Sequence, residues 1–250
     1  MNIEDTLAAL NITAPESVAA GTFLGIGLAD GFEEFDSPVG RVIVTFNVAG
    51  VSSVDLAAGN PVVRFETRFG RPLHEAKPPK GWDRWIELAI DRGTPGDLPV
   101  DLSSRTSFQR QVLEATARIP SGEVRPYSWL AREVGNPGAV RAVGSTMARN
   151  PVPLIIPCHR VVRTDGTIGK YSLGGPHYKR ALLEWEGAHP DELETLAGRR
   201  IRYWGSATTN IYCHPTCRNA RRITDEHRVE FHDQAEAGAA GFRPCKVCRP

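Results

Sequence analysis

The 250-residue sequence holds no apolar run near the roughly 18 residues of a membrane-spanning helix, which excludes a chain threaded through a bilayer by helices. Its first residues, Met1-Asn-Ile-Glu-Asp, are acidic and offer no basic start of a signal peptide, so a cytoplasmic protein is expected. Cysteine is scarce: there are five, and the first stands at position 158. Before residue 100 no group of nucleophiles, bases or metal ligands forms a pattern that carries chemistry, so the front of the chain reads as scaffold. Net charge is also nearly lacking, at +1, and composition is that of an ordinary globular protein.

The charge balance conceals a division. Residues 1–100 carry 8 Lys+Arg against 14 Asp+Glu, and residues 101–190 carry 12 against 7. Residues 191–198 hold three acids and no base, and residues 199–250 hold 10 bases against 5 acids. Two basic segments behind an acidic front suit two contacts with nucleic acid and a front part that makes none.

Local patterns place the elements. Val42, Val44 and Phe46 alternate with Ile43, Thr45 and Asn47, Ala49-Gly50 turns the chain, and residues 51–56 return it, a β-hairpin. Residues 62–69 and 82–90 read as further elements, the second helical. A short helix is expected at Thr6 to Leu10, a glycine-rich loop over 21–31 and a linker over 93–99. Thr106 and Gln109 have the form of a capping box, opening a helix with Phe108, Val112, Ala115 and Ile119 on one face. Two short helices follow, 127–134 closed by Gly135 and 137–147 capped by Asn136. Val140, Val143 and Met147 form the inward stripe of the second. Arg141, Gly144, Ser145 and Ala148 share its other side. One long cation among small residues lets a helix approach something narrow, a DNA groove or a neighbouring helix. Residues 178–186 read as a helix with Lys179 and Arg180 outward and Leu182, Leu183 and Trp185 as anchors.

The chemistry concentrates at Leu154-Ile-Ile-Pro-Cys-His-Arg-Val-Val162. A thiol is a useful nucleophile only as thiolate, so it needs a base or a positive charge nearby. His159 and Arg160 adjoin Cys158, although neighbours on a strand face opposite sides. The alternative is a structural cysteine, since free cysteines are commonly buried. The longer stretch Asn150-Pro-Val-Pro-Leu-Ile-Ile-Pro-Cys-His-Arg-Val-Val resembles the active-site signature of the O6-alkylguanine-DNA alkyltransferases. The resemblance covers about residues 37–187. It includes Ser-Pro-Val-Gly at 37–40, Thr106-Ser-Phe-Gln109, the Ile-Pro-Ser-Gly turn at 119–122, Val-Arg-Ala-Val-Gly at 140–144 and Glu186-Gly187. Gly169-Lys-Tyr-Ser-Leu-Gly-Gly175 matches the family's pocket loop, with Leu173 as a one-residue insertion.

Two close cysteine pairs, Cys213-His-Pro-Thr-Cys217 and Cys245-Lys-Val-Cys248, have the spacing with which four thiolates close a tetrahedron around one zinc ion. In a chain expected to be cytoplasmic, such pairs read as metal ligands before disulfides. His214, His227 and His232 are further donors in principle, but four cysteines fill the site. Residues 208–218 and 239–248 resemble the zinc module of Ada-type proteins. There the module precedes the alkyltransferase; here it follows, without the front helix.

The resemblances imply an α/β protein. An N-terminal extension (1–35) leads to a small ribonuclease H-like β-sheet domain (36–100), a helix-turn-helix active-site domain (101–190) and a zinc module (199–250). They imply a monomer that moves an alkyl group from O6-alkylguanine in double-stranded DNA irreversibly onto Cys158, once per molecule and without a cofactor. His159, oriented by Glu186, takes the thiol proton through a water. Tyr127 crowds the rotated phosphate and protonates the departing guanine. Asn150 braces the active-site turn, and Tyr171 and Ser172 line the pocket. Arg141 fills the vacated base stack, with Gly144, Ser145 and Arg160 also facing DNA. Cys213 matches the zinc-bound cysteine that takes a methyl group from a DNA phosphotriester, against which stands a purely structural zinc site. Two other function classes are a damage sensor or DNA-binding regulator without transfer, and a cysteine hydrolase, which would leave the helix pair and the cysteine cluster unexplained.

Overall fold

The computed structural model describes residues 16–250, so the helix expected at Thr6 to Leu10 lies outside the described residues. Helix α1 (Glu16–Gly25) occupies part of the stretch expected to be loop. The hairpin is present. Strands β1 (Asp30–Phe35), β2 (Val42–Asn47) and β3 (Gly50–Leu56) are antiparallel neighbours, and β4 (Leu73–Glu75) adds to β1 in parallel. Residues 42–46 of β2 are all buried, so its alternation divides two covered faces, and the Thr45 hydroxyl is satisfied by Ser52 Oγ at 2.8 Å. Helix α2 (Pro61–Phe69) is capped by the Asn60 side chain, and α3 (Trp82–Arg92) buries Ile86, Ala89 and Ile90.

The expected linker over 93–99 is a packed segment. Leu98 is buried, and the Pro99 carbonyl accepts the Val51 amide at 2.9 Å. Gly50 makes this approach possible: a Cβ there would lie 2.6 Å from the Pro99 oxygen. Beyond it come α4 (Ser107–Ala117), opened by the reciprocal Thr106–Gln109 capping box, then β5 (Arg125–Pro126) and α5 (Tyr127–Glu133). Gly135 has φ 71° and turns the chain, and Asn136 donates its amide to the Ala131 carbonyl at 2.9 Å. Helix α6 (Val140–Ala148) starts three residues later than expected. Pro137-Gly138 favours a turn, and Asn136 accepts the Ala139 amide at 3.0 Å instead of capping the helix with its side chain.

A 3-10 turn over Cys158–Arg160 runs into β6 (Val161–Val162), which pairs in parallel with β5. Helix α7 (Pro176–Trp185) reverses two side-chain placements: Lys179 is buried and Trp185 is 63 % exposed. The Lys179 ammonium is the donor to the Val161 carbonyl at 2.6 Å, which offsets the cost of burying it.

One hydrophobic cluster runs from Val44 and Ile86 through Leu130 and Val143 to Ile155 and Leu182, so the sheet and the helices around Cys158 share a core. The acidic stretch after it is helix α8 (Pro190–Gly198), not foreseen from the sequence. Leu193 packs with Val124, Val162 and Leu183, while Leu196 packs with Trp204 and the four clustered cysteines. The last part is a four-stranded sheet of β7 (Tyr203–Ser206), β8 (Ile211–Cys213), β9 (Arg228–Phe231) and β10 (Arg243–Pro244), ordered β10-β8-β7-β9, with α9 (Gln234–Ala239) between β9 and β10. Among the described residues no helix is long and apolar enough to cross a membrane.

Candidate active site and metal centre

Leu154, Ile155 and Ile156 are buried and anchor the approach to Cys158. Leu154 has φ 72°, a costly conformation for a branched side chain, so the surroundings must hold it. Asn150 does much of this. Its Nδ2 donates to the Ile156 carbonyl at 2.8 Å and its Oδ1 accepts the Val152 amide at 3.1 Å. Because Cys158 and His159 lie in a 3-10 turn, the opposite-face geometry of a strand does not apply to them.

Cys158, 4 % exposed, lines a cavity of about 380 Å³ together with Tyr127, Gly144, Met147, Arg163, Tyr171 and Ser172. Burial pushes its thiol pKa up, while Asn150, Lys179 and Ser172 pull the other way. His159 Nε2 meets Glu186 Oε1 at 2.9 Å, and among the described residues its Nδ1 is buried without a hydrogen-bond partner. Burial lowers the His159 pKa against the pull of Glu186, so the ring is neutral near pH 7. Burial opposes ionisation of Glu186, but hydrogen bonds from His159 and Arg160 outweigh it and hold the carboxyl down at about 2. Lys179 is lowered to about 8 by burial, with Cys158 pulling it back up. Burial also raises the phenols of Tyr127 and Tyr171, and the Tyr171 ring stands edge-on to His159 at 6.2 Å.

Arg160 corrects an expectation. It is 1 % exposed and its guanidinium is fully engaged, with Glu186 at 2.6 Å and the carbonyls of Gly93 at 2.9 Å, Ile119 at 2.7 Å and Arg92 at 2.8 Å. It ties the Cys158–Arg160 turn to the ends of α3 and α4 and has no donor left for DNA. Arg141 and Ser145 lie exposed on α6, and Gly144 has open space where a Cβ would stand. Leu173, the inserted residue of the pocket loop, is buried in the main core. Sequence reasoning missed Lys179, Met147, Arg163 and Gly122, whose amide donates to Glu186 Oε2 at 3.1 Å. Only the glycine of the Ile-Pro-Ser-Gly turn left a signal.

Cys213, Cys217, Cys245 and Cys248 place their sulfur atoms within 4.8 Å of one another, all buried. Zinc–sulfur bonds of about 2.3 Å in a tetrahedron fit such a cluster. Cys245 Sγ already accepts the Val247 amide at 3.4 Å and Asn219 Nδ2 at 3.5 Å, contacts that favour a thiolate. Among the described residues no histidine joins the cluster: His232 pairs with Glu236 and His214 packs on Tyr203. Cys213 also lines a cavity of about 380 Å³ with Thr208, Thr209, Arg222 and His227, which the other three cysteines do not share.

The model of the 6-O-methylguanine DNA methyltransferase DNA-binding domain matches residues 107–188. The methylated-DNA–protein-cysteine methyltransferase of Mus musculus is 37 % identical over 172 residues, 62 % of this chain and 81 % of the mouse protein. The chain belongs to the methylated-DNA–protein-cysteine methyltransferase family. The methyltransferase match contains Tyr127, Cys158, His159 and Glu186, and the model of the metal-binding domain of Ada matches residues 200–250, with all four clustered cysteines. Among solved structures, the O6-methylguanine methyltransferase of Mycobacterium tuberculosis is 30 % identical, with a TM-score of 0.52 over 67 % of this chain and 99 % of that one. The OGT of that organism in complex with DNA is 32 % identical, with a TM-score of 0.50 over 65 % and 98 %. The chain thus has a mixed α/β fold shared with these structures, extended by a segment that matches the metal-binding domain of Ada.

Proposed function

We propose that Cys158 takes the alkyl group from O6-alkylguanine in double-stranded DNA, irreversibly and once per molecule. The observation that carries this is a buried thiol lining a cavity of about 380 Å³, with the adjoining His159 held by Glu186 at 2.9 Å. The alkylated oxygen lies inside the duplex, so the nucleotide must be extruded at a cost of a few kcal/mol. Exposed Arg141, on a helix of small residues, replaces the base in the stack, and Gly144 and Ser145 let α6 approach the backbone. Helices α5 and α6 act as a helix-turn-helix, and the N-terminal sheet is its ribonuclease H-like scaffold. The division at 36–100, 101–190 and 199–250 is the reading that suits these roles.

With its pKa raised by burial, Cys158 is a thiol at neutral pH, so deprotonation must accompany attack. His159 is neutral, and its unpartnered Nδ1 takes that proton by way of a water, while ionised Glu186 stabilises the imidazolium. The sulfur–carbon bond forms, the carbon–oxygen bond breaks, and the electron pair goes to guanine, where the Tyr127 hydroxyl supplies a proton. Asn150 braces the turn, and Tyr171 and Ser172 hold the base.

Cys213, Cys217, Cys245 and Cys248 hold one zinc ion. Bound there, zinc keeps all four sulfurs as thiolates with a formal cluster charge of −2, which leaves Cys213 electron-rich. Cys213, alone of the four on its cavity, would then take a methyl group from a phosphotriester: the sulfur–carbon bond forms as the methyl carbon–oxygen bond breaks, and the phosphodiester anion that leaves is received beside Arg222. The protein acts as a monomer. The test is incubation with duplex carrying labelled O6-methylguanine. One label per molecule on Cys158 is expected; binding without transfer would instead make the protein a damage sensor.

A further inference from the structure

The segment from Gly122 to Trp129 is fastened on both sides. On one side it serves the reaction. The Gly122 amide holds Glu186 at 3.1 Å, Arg125 and Pro126 pair with the two residues that follow the Cys158–Arg160 turn, and Tyr127 lines the Cys158 cavity. On the other side it is bonded to the zinc-binding part at four of its residues. Arg221 donates to the Gly122 carbonyl, and Glu123 Oε1 accepts the Arg218 amide at 3.1 Å. Thr216 Oγ1 accepts the Val124 amide at 2.9 Å, and Trp129 Nε1 donates to the carbonyl of Cys248 at 2.9 Å. The last two bonds are buried and come from the cysteine turns themselves. Gly122 has φ 73°, and a Cβ there would lie 2.5 Å from the Glu186 carbonyl oxygen and 3.5 Å from the Arg221 guanidinium. Buried polar groups need their partners, so removing the Thr216 hydroxyl strands the Val124 amide.

We propose that the zinc-binding part completes the alkyl-transfer site: Thr216 and Trp129 are positioning residues that set Glu186 and Tyr127 through the 122–129 strap. A cluster that holds the two cysteine turns in place therefore tunes the reaction at Cys158. The inference rests on the proposed roles of Cys158, His159 and Glu186.

The experiment compares Thr216→Val, Thr216→Ser and Trp129→Phe with the wild-type protein. Free alkylguanine base is the substrate, so DNA binding does not enter. Zinc content and Tm are recorded alongside. A second readout is the pH dependence of iodoacetamide labelling at Cys158, mapped by mass spectrometry. Thr216→Val, with zinc bound, should transfer about tenfold more slowly and shift the labelling profile, as residues supporting a reactive group do. Thr216→Ser should restore both, and Trp129→Phe, which removes one N–H, should repeat the loss. Wild-type rate and profile in zinc-loaded Thr216→Val and Trp129→Phe would overturn the proposal. So would losses in step with a lower Tm and an unmoved profile in all three. If wild-type protein itself leaves Cys158 unlabelled by the substrate, the transfer reading fails, which is a separate outcome.

Discussion

Cys158 and Cys213 are almost equally buried, at 4 % and 2 % exposed, yet their neighbours differ in kind. Among the described residues Cys158 has no other thiol beside it; next to it stand His159, hydrogen-bonded to Glu186 27 residues beyond that histidine, and Lys179, whose ammonium donates to the Val161 carbonyl. Cys213 has three sulfurs within 4.8 Å, all supplied by two short turns. The first site is therefore vulnerable to single distant residues and to protons. The second is vulnerable to loss of metal. A buried thiol can be made nucleophilic in either way, and the two fail under different conditions.

The largest expected effect separates the two outright. Cys158→Ala should abolish transfer from alkylguanine while leaving duplex affinity nearly unchanged, because the thiol makes the new bond and few groove contacts. Methyl transfer from a phosphotriester to Cys213 should persist in that variant, as mass mapping of both peptides would reveal. Next, Glu186→Gln should slow transfer at Cys158 by about a hundredfold through loss of the imidazolium's partner, and leave Cys213 transfer intact. An equal loss at both cysteines would remove the contrast.

A smaller effect concerns DNA. Arg141→Ala should lower repair of duplex by about tenfold and spare free alkylated base, since only duplex needs the nucleotide held out. Competition between the two substrates in single-turnover assays measures this, and equal losses would take Arg141 out of that role.

The smallest effect is on stability. Glu186 is held at about 2 from an ordinary 4.5, and His159 is lowered from 6.5. Both depressed groups stabilise the fold above their unfolded values. That contribution is lost on acidification, first as pH falls below about 6.5 for His159 and then between 4.5 and about 2 for Glu186. Tm should fall between pH 7 and pH 5. His159→Gln should show less of this early fall.

What was legible follows the same contrast. The cysteine pairs, the Thr106–Gln109 box and the hairpin are each written in a few adjacent residues, and all three are present. The sequence places Arg160 and Lys179 outward because a charge is normally solvated, and both are buried. Each is buried only because partners distant in sequence receive it: Glu186 with the carbonyls of Arg92 and Gly93 for one, and Val161 for the other. The segment over 93–99 has a linker's composition but is fixed by Gly50 and Arg160, which no local pattern reveals. Helix α8 was hidden by its acids, although Pro190 at its first position and Asp191 and Glu192 in its first turn are helix-start signals.

The most direct test is peptide mapping by mass spectrometry after one equivalent of O6-methylguanine duplex. A single methyl group on the peptide containing Cys158, none on the Cys213 peptide, and unmodified guanine in the DNA are expected. Methyl on another residue, or DNA released with its O6-methylguanine intact, would contradict transfer to Cys158.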